Sequence, residues 1–130
     1  MTDQKGNDQK EKVYDLRARL LLFSGRVLRV CGMLPYSPEA QVLRRQLARA
    51  GTAIGANFEE ADGALTRKDF INKLAIARKE AKEAKYWLSI AFAHYLKTKG
   101  ANIELDIEEC EEIIKILSAI LKKVGHKFRI

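Results

Sequence analysis

The chain has 130 residues, a mass of 14.8 kDa and an apolar content of 47%, the profile of one domain that buries roughly two thirds of its unfolded surface. Its 24 Lys+Arg against 17 Asp+Glu give a net charge of +7, which turns attention to polyanionic partners. No apolar run reaches the roughly 18 residues of a membrane span, and the start MTDQKGNDQKEK lacks the apolar centre of a secretory signal, so the chain is expected to be cytoplasmic and free of membrane contact. Cys31 and Cys110 are distant and have no metal spacing, as expected of buried thiols in a reducing compartment.

Residues 1–11 are polar and contain Gly6 and Asn7, the composition of a disordered tail, and residues 12–130 form the single domain. The spacing of Leu16, Leu20, Phe23, Val27, Val30 and Leu34 predicts a first helix from about Lys12 to Leu34, which Pro35 helps to stop. Ser37-Pro38-Glu39 reads as the start of a second helix, with a side-chain acceptor, a preset first position and an acid near the positive helix end. That helix runs to about Ala61 and places Leu43, Leu47, Ala50, Gly51, Ile54 and Phe58 on one face. After Asp62-Gly63, Thr66 with Asp69 approximates a capping box, opening a third helix to about Lys97. Its core face is Phe70, Leu74, Ala77, Ala81, Ala84, Leu88 and Tyr95. A fourth helix from about Leu105 to Val124 is expected to bury Ile107, Cys110, Ile114, Leu117 and Leu121. Four long helices joined by short turns make an all-α, up-down-up-down antiparallel four-helix bundle.

Several segments form a recognisable unit. Gln46-Leu47 followed by Arg49-Ala50, then Thr52-Ala-Ile-Gly-Ala-Asn57 and Glu60, lead into Lys68-Asp-Phe70, Leu74, Ala77, Glu80 and Tyr86-Trp87-Leu88. This pattern resembles the bacterial four-helix bundle family of 23S rRNA intervening-sequence proteins, from helix one to the end of helix three. Ala61 stands where the family usually has Gly, and Gly63 comes two residues later, which displaces the expected helix end. The resemblance implies a bundle that assembles into rings of identical copies, often five.

A second apolar surface points the same way. Tyr14, Leu21 and Leu28 form a stripe roughly opposite the core face of helix one, and Ile76, Trp87 and Ile90 project away from the core face of helix three. Helices that are apolar on two sides are usually buried on two sides, so these six residues are the expected contact of a homo-oligomer.

Charge is divided along the chain. Residues 13–99 hold 16 Lys+Arg and 8 Asp+Glu, whereas residues 104–112 hold six acids and no base. Arg44, Arg45 and Arg49 on helix two, with Lys68, Lys79, Lys82 and Lys85 on helix three, lie off the core faces and form the expected contact with the phosphates of structured RNA or DNA. No aromatic platform for base stacking is expected among them, so recognition rests on shape and backbone. The acidic start of helix four equally suits docking to a basic protein, and an oligomeric scaffold or adaptor without a nucleic-acid role is the alternative.

Catalysis finds little support. Neither His94 nor His126 is preceded by Glu at the spacing of a di-iron bundle, nor by Arg five residues earlier as in helical toxin nucleases. Gly51-Thr-Ala-Ile-Gly55 lacks the Gly-Lys-Ser/Thr ending of a phosphate loop and reads as a packing ridge. No enzyme, metal or cofactor is expected. Glu59, Glu60 and Asp62 read as a solvated or interface charge cluster, while Gln46, Asn57 and Glu60 read as structural polar groups beside a close helix contact.

Overall fold

The computed structural model describes the backbone of residues 4–98 and 102–128, and the side chains of residues 16–98 and 102–125. Four helices appear in chain order: α1 (Gln4–Met33), α2 (Pro38–Asp62), α3 (Arg67–Ala91), extended by a π-helical turn (Phe92–Leu96), and α4 (Ile103–Phe128). Among the described residues there is no strand. Cross-helix contacts fix every direction. Ser24 Oγ donates to the Gly51 carbonyl and Cys31 meets Arg44, so α1 and α2 run oppositely. Lys73 pairs with Glu60 while Arg49 pairs with Glu80, Lys85 pairs with Glu111 while Arg78 meets Ser118, and Arg19 and Arg26 pair with Glu109 and Asp106. Each neighbouring pair of helices is antiparallel.

The expected core is largely the observed one. Leu16, Leu20, Phe23, Val27, Val30 and Leu34 from α1 are buried against Leu43, Leu47, Ala50, Ile54 and Phe58 from α2. Leu74, Ala77, Ala81, Ala84 and Leu88 complete the centre from α3. Both predicted caps form: Ser37 accepts from the Ala40 N–H and Thr66 from the Asp69 N–H.

One boundary and two stretches of the core differ from expectation, each for a physical reason. Helix α1 begins at Gln4 and not near Lys12, because Gln, Lys and Glu support helix without contributing to an apolar pattern. The expected tail is therefore helical over residues 4–11, and residues 1–3 lie outside the described residues. The π-helical turn inserts extra chain per turn, moving the core position from Tyr95, half-buried, to Leu96, fully buried. On α4 the buried seam is Ile103, Asp106, Cys110, Ile113 and Leu117, whereas the expected Ile107, Ile114 and Leu121 pack at its edge. Asp106 occupies an inward position that a count of apolar residues passes over, and Arg26 makes that position tenable by pairing with it at 2.5 Å.

Helices α1 and α2 approach closely at Gly51. A Cβ there would lie 2.5 Å from Val27 Cγ1 and 2.9 Å from Val27 Cβ, a clash with a side chain that has little rotamer freedom. Gly51→Ala should therefore destabilise the fold by about 1 to 2 kcal/mol, overpacking outweighing the gain in helix propensity. In chemical denaturation, adding Val27→Ala to that variant should cost less than Val27→Ala alone, because the two sites share one space. Simple additivity would mean that the helices do not meet there.

Candidate nucleic-acid interface

The cations that the sequence assigned to one basic face divide into two groups. Arg44 is structural. From α2 its guanidinium donates to the Cys31 carbonyl at 3.0 Å, the Leu34 carbonyl at 2.6 Å and the Pro35 carbonyl at 3.2 Å, and its Cζ lies 4.7 Å above the Tyr36 ring. It thus satisfies carbonyl groups at the C-terminal end of α1, whose last turn has no basic residue of its own. Arg49 bridges α2 to α3, pairing with Glu80 at 3.0 Å and also with Glu83. Lys85 bridges α3 to α4 by pairing with Glu111 at 3.2 Å. Arg49 and Lys85 are thus engaged by acids on neighbouring helices and Arg44 by backbone carbonyls, partners that spacing along a single helix does not reveal.

Arg45, Lys68, Lys79 and Lys82 form the second group. All four are exposed, and none is in a salt bridge among the described residues. Arg45 makes only a long contact, 3.5 Å, to the Gln41 carbonyl of its own helix.

The acidic cluster at the end of α2 is consumed in the same way. Arg17 holds Asp62 by a 2.7 Å hydrogen bond and Glu59 by a 2.7 Å ionic contact outside hydrogen-bond alignment, while Glu60 pairs with Lys73 at 2.9 Å. Asn57 does not fix helix register: half-buried, it donates to the Ala53 carbonyl of its own helix at 2.8 Å. Gln46 only approaches Arg49, at 3.5 Å. Glu60 is the one of the three structural polar residues that joins two helices.

The expected oligomer contact is also redistributed. Leu21 is 76% exposed, Leu22 69% and Leu28 51%, and a Cβ at Gly25 or Gly32 would meet nothing within 4 Å, so α1 presents an open Leu/Gly stripe. Leu22, Gly25 and Gly32 were not singled out by the sequence reading, although the spacing of Leu21, Gly25, Leu28 and Gly32 carries the signal. Ile76 is exposed on α3. Trp87 and Ile90, by contrast, are half-buried and pack against the core, because α3 is flanked by both α2 and α4. Tyr14 lies outside the residues whose side chains are described.

One aromatic does stand among the unpaired cations, contrary to expectation. Tyr86 is 56% exposed and shares the outer stripe of α3 with Lys79 and Lys82, at i, i+3 and i+7. Its ring stacks on Trp87 with centroids 5.2 Å apart and planes at 26°. The Trp87 indole N–H donates to Glu83 at 3.1 Å, and Arg49 grips the same carboxylate.

Cys110 is buried, donates to the Ala81 carbonyl at 3.1 Å, and has its thiol pushed up to about 12 by burial, so it stays protonated. Among the described residues no group of three or more His, Cys, Asp or Glu is arranged to hold a metal, and no helix is long and apolar enough to cross a membrane.

The Trp87 hydrogen bond, opposed by burial and reinforced by Arg49 and Lys79, holds the Glu83 carboxyl below the usual carboxylate range. A lowered folded-state value means that this group stabilises the fold above the unfolded-state pKa of about 4.3 and ceases to do so as pH falls through the lower folded value. Acid titration followed by Trp87 fluorescence should show a transition with its midpoint below about 4.3. A midpoint at or above that value would mean that the Trp87–Glu83–Arg49 chain does not form in solution.

The fold and these residues have relatives. Residues 10–119 match the family described as 23S rRNA-intervening sequence protein. A crystal structure of a protein of unknown function from the S23 ribosomal protein family of Bacteroides thetaiotaomicron is similar, with a TM-score of 0.74 and 37% identity, over 82% of this chain and 98% of that one. No curated protein matches. With its characteristic segments folded into the bundle described above, the chain belongs to the 23S rRNA-intervening sequence protein family.

Proposed function

We propose that the protein is a non-enzymatic helical bundle that assembles with copies of itself through the outward stripe of α1 and binds the backbone of RNA or DNA with its unpaired cations. The observation that carries the nucleic-acid reading is the outcome of ion pairing. The cross-helix pairs engage eight carboxylates with six cations, and in a chain of net charge +7 Arg45, Lys68, Lys79 and Lys82 stay exposed outside any salt bridge among the described residues. Positive side chains of this kind gain affinity for phosphates by releasing condensed counterions, and repetition in an oligomer multiplies the effect. The family name, which refers to 23S rRNA, is consistent with that partner class.

An adaptor that binds another protein is the second reading. It is favoured by the outer edge of α4, where Glu104, Glu108 and Glu112 are exposed at four-residue spacing beside Leu105, itself 52% exposed.

Leu21→Glu with Leu28→Glu should reduce the particle size in light scattering, because burying unpaired carboxylates in a contact is costly. A wild-type protein that is monomeric at high micromolar concentration would refute self-assembly. In filter binding, replacing Arg45, Lys68, Lys79 and Lys82 by Gln should weaken retention of all sequences and flatten the dependence of log affinity on log salt by about one unit per lost phosphate contact. Failure of the wild type to retain RNA or DNA at low salt would leave the adaptor reading.

A further inference from the structure

We propose that Tyr86 is a stacking platform for an unpaired nucleobase, and hence that the outer face of α3 selects single-stranded over duplex nucleic acid. The inference rests on the nucleic-acid reading above and adds a ligand class to it. Three observations converge on this residue. First, Tyr86 is exposed where the other aromatic of its pair is not: Trp87 is half-buried against the core and backs the tyrosine ring. Second, the platform is held in place. Arg49 fixes Glu83, Glu83 accepts the indole N–H of Trp87 at 3.1 Å, and Trp87 stacks on Tyr86 at 5.2 Å, so little side-chain freedom remains to be lost when a base lands on it.

Third, exposed lysines outside any salt bridge among the described residues share its stripe. Lys82 and Lys79 precede Tyr86 by four and seven residues on one stripe, about 6 and about 10 Å back along the helix axis. On α2, Arg45 is exposed at the level that faces this part of α3. In the antiparallel α2–α3 pair Arg49 meets Glu80 and Glu83, so one turn earlier on α2 lies beside one turn later on α3, where Tyr86 stands. A phosphate next to a stacked base would therefore meet positive charge along the α3 stripe.

The aromatic face and the cations discriminate differently. Lysine and arginine contacts to phosphate serve duplex and single strand alike, whereas a base inside a duplex is already stacked on its neighbours and cannot cover Tyr86. Every base has a π-face, so the platform confers a preference for unpaired nucleotides with little preference for sequence. The exposed edge of α3 thus acquires a role that the cations alone do not supply.

The test uses the full-length protein with fluorescein-labelled 12-residue oligo(dT) and oligo(rU), a 12-base-pair duplex, and fluorescence anisotropy at low salt. Trp87 is the only tryptophan in the chain, and its emission should be quenched by the single strands and not by the duplex. Tyr86→Ala should weaken single-strand binding by about 5- to 100-fold and leave duplex binding within about 2-fold, whereas Tyr86→Phe should preserve both. Wild-type binding of single strands without Trp87 quenching, or with affinity unchanged in Tyr86→Ala, would overturn the platform and leave the phosphate reading standing. Absence of any binding by the wild type would overturn both. A smaller particle for Tyr86→Ala in light scattering would also overturn the proposal, by assigning Tyr86 to a contact between copies.

Discussion

The arrangement of this bundle depends on ion pairs that cross every seam between helices. Arg17 with Glu59 and Asp62 joins α1 to α2, Arg49 with Glu80 and Glu83 joins α2 to α3, Lys85 with Glu111 joins α3 to α4, and Arg19 and Arg26 with Glu109 and Asp106 close α4 onto α1. The exposed members contribute little to stability singly, since surface pairs are worth at most about 1 kcal/mol. Their joint consequence is specificity. A charged residue facing the wrong helix would be left without a partner, and at Asp106, nearly sealed from solvent, that penalty is severe. The pairs also sort the cations, engaging some in the architecture and leaving Arg45, Lys68, Lys79 and Lys82 outside any salt bridge among the described residues.

Much of the fold was legible in the sequence because apolar spacing and caps report on local geometry. The seam from Leu43 to Phe58 is buried as its periodicity requires, and Ser37 and Thr66 cap the helices that follow them. The errors have a common origin. Tyr95 was displaced from the core by a π-helical turn that no residue type announces, and Ile114 gave way to Ile113 because an ion pair lets a carboxylate sit where an apolar residue was expected. Spacing along a helix does not register what a facing helix offers.

The candidate site shows the same boundary more sharply. Arg45, Lys68, Lys79 and Lys82 were identifiable as outward-facing residues, and they are outward-facing. Arg49 looked equally available, having no acid three or four residues away, yet Glu80 and Glu83 reach it from α3. Arg44 reads as surface charge along its own helix, although it satisfies carbonyls at the end of α1. Tyr86 was overlooked for the converse reason: its neighbour Trp87 is the more conspicuous aromatic, and only packing shows which of the two faces the core.

In the proposed function, ion pairing divides the lysines into an architectural set, Lys73 and Lys85, and a ligand-binding set, Lys79 and Lys82. Lysine acetylation footprinting by mass spectrometry, with and without a saturating single-stranded oligonucleotide, tests it most directly. Binding should protect Lys79 and Lys82 and leave Lys73 and Lys85, already paired to Glu60 and Glu111, unchanged. Protection of Lys73 and Lys85 while Lys79 and Lys82 stay reactive would contradict it.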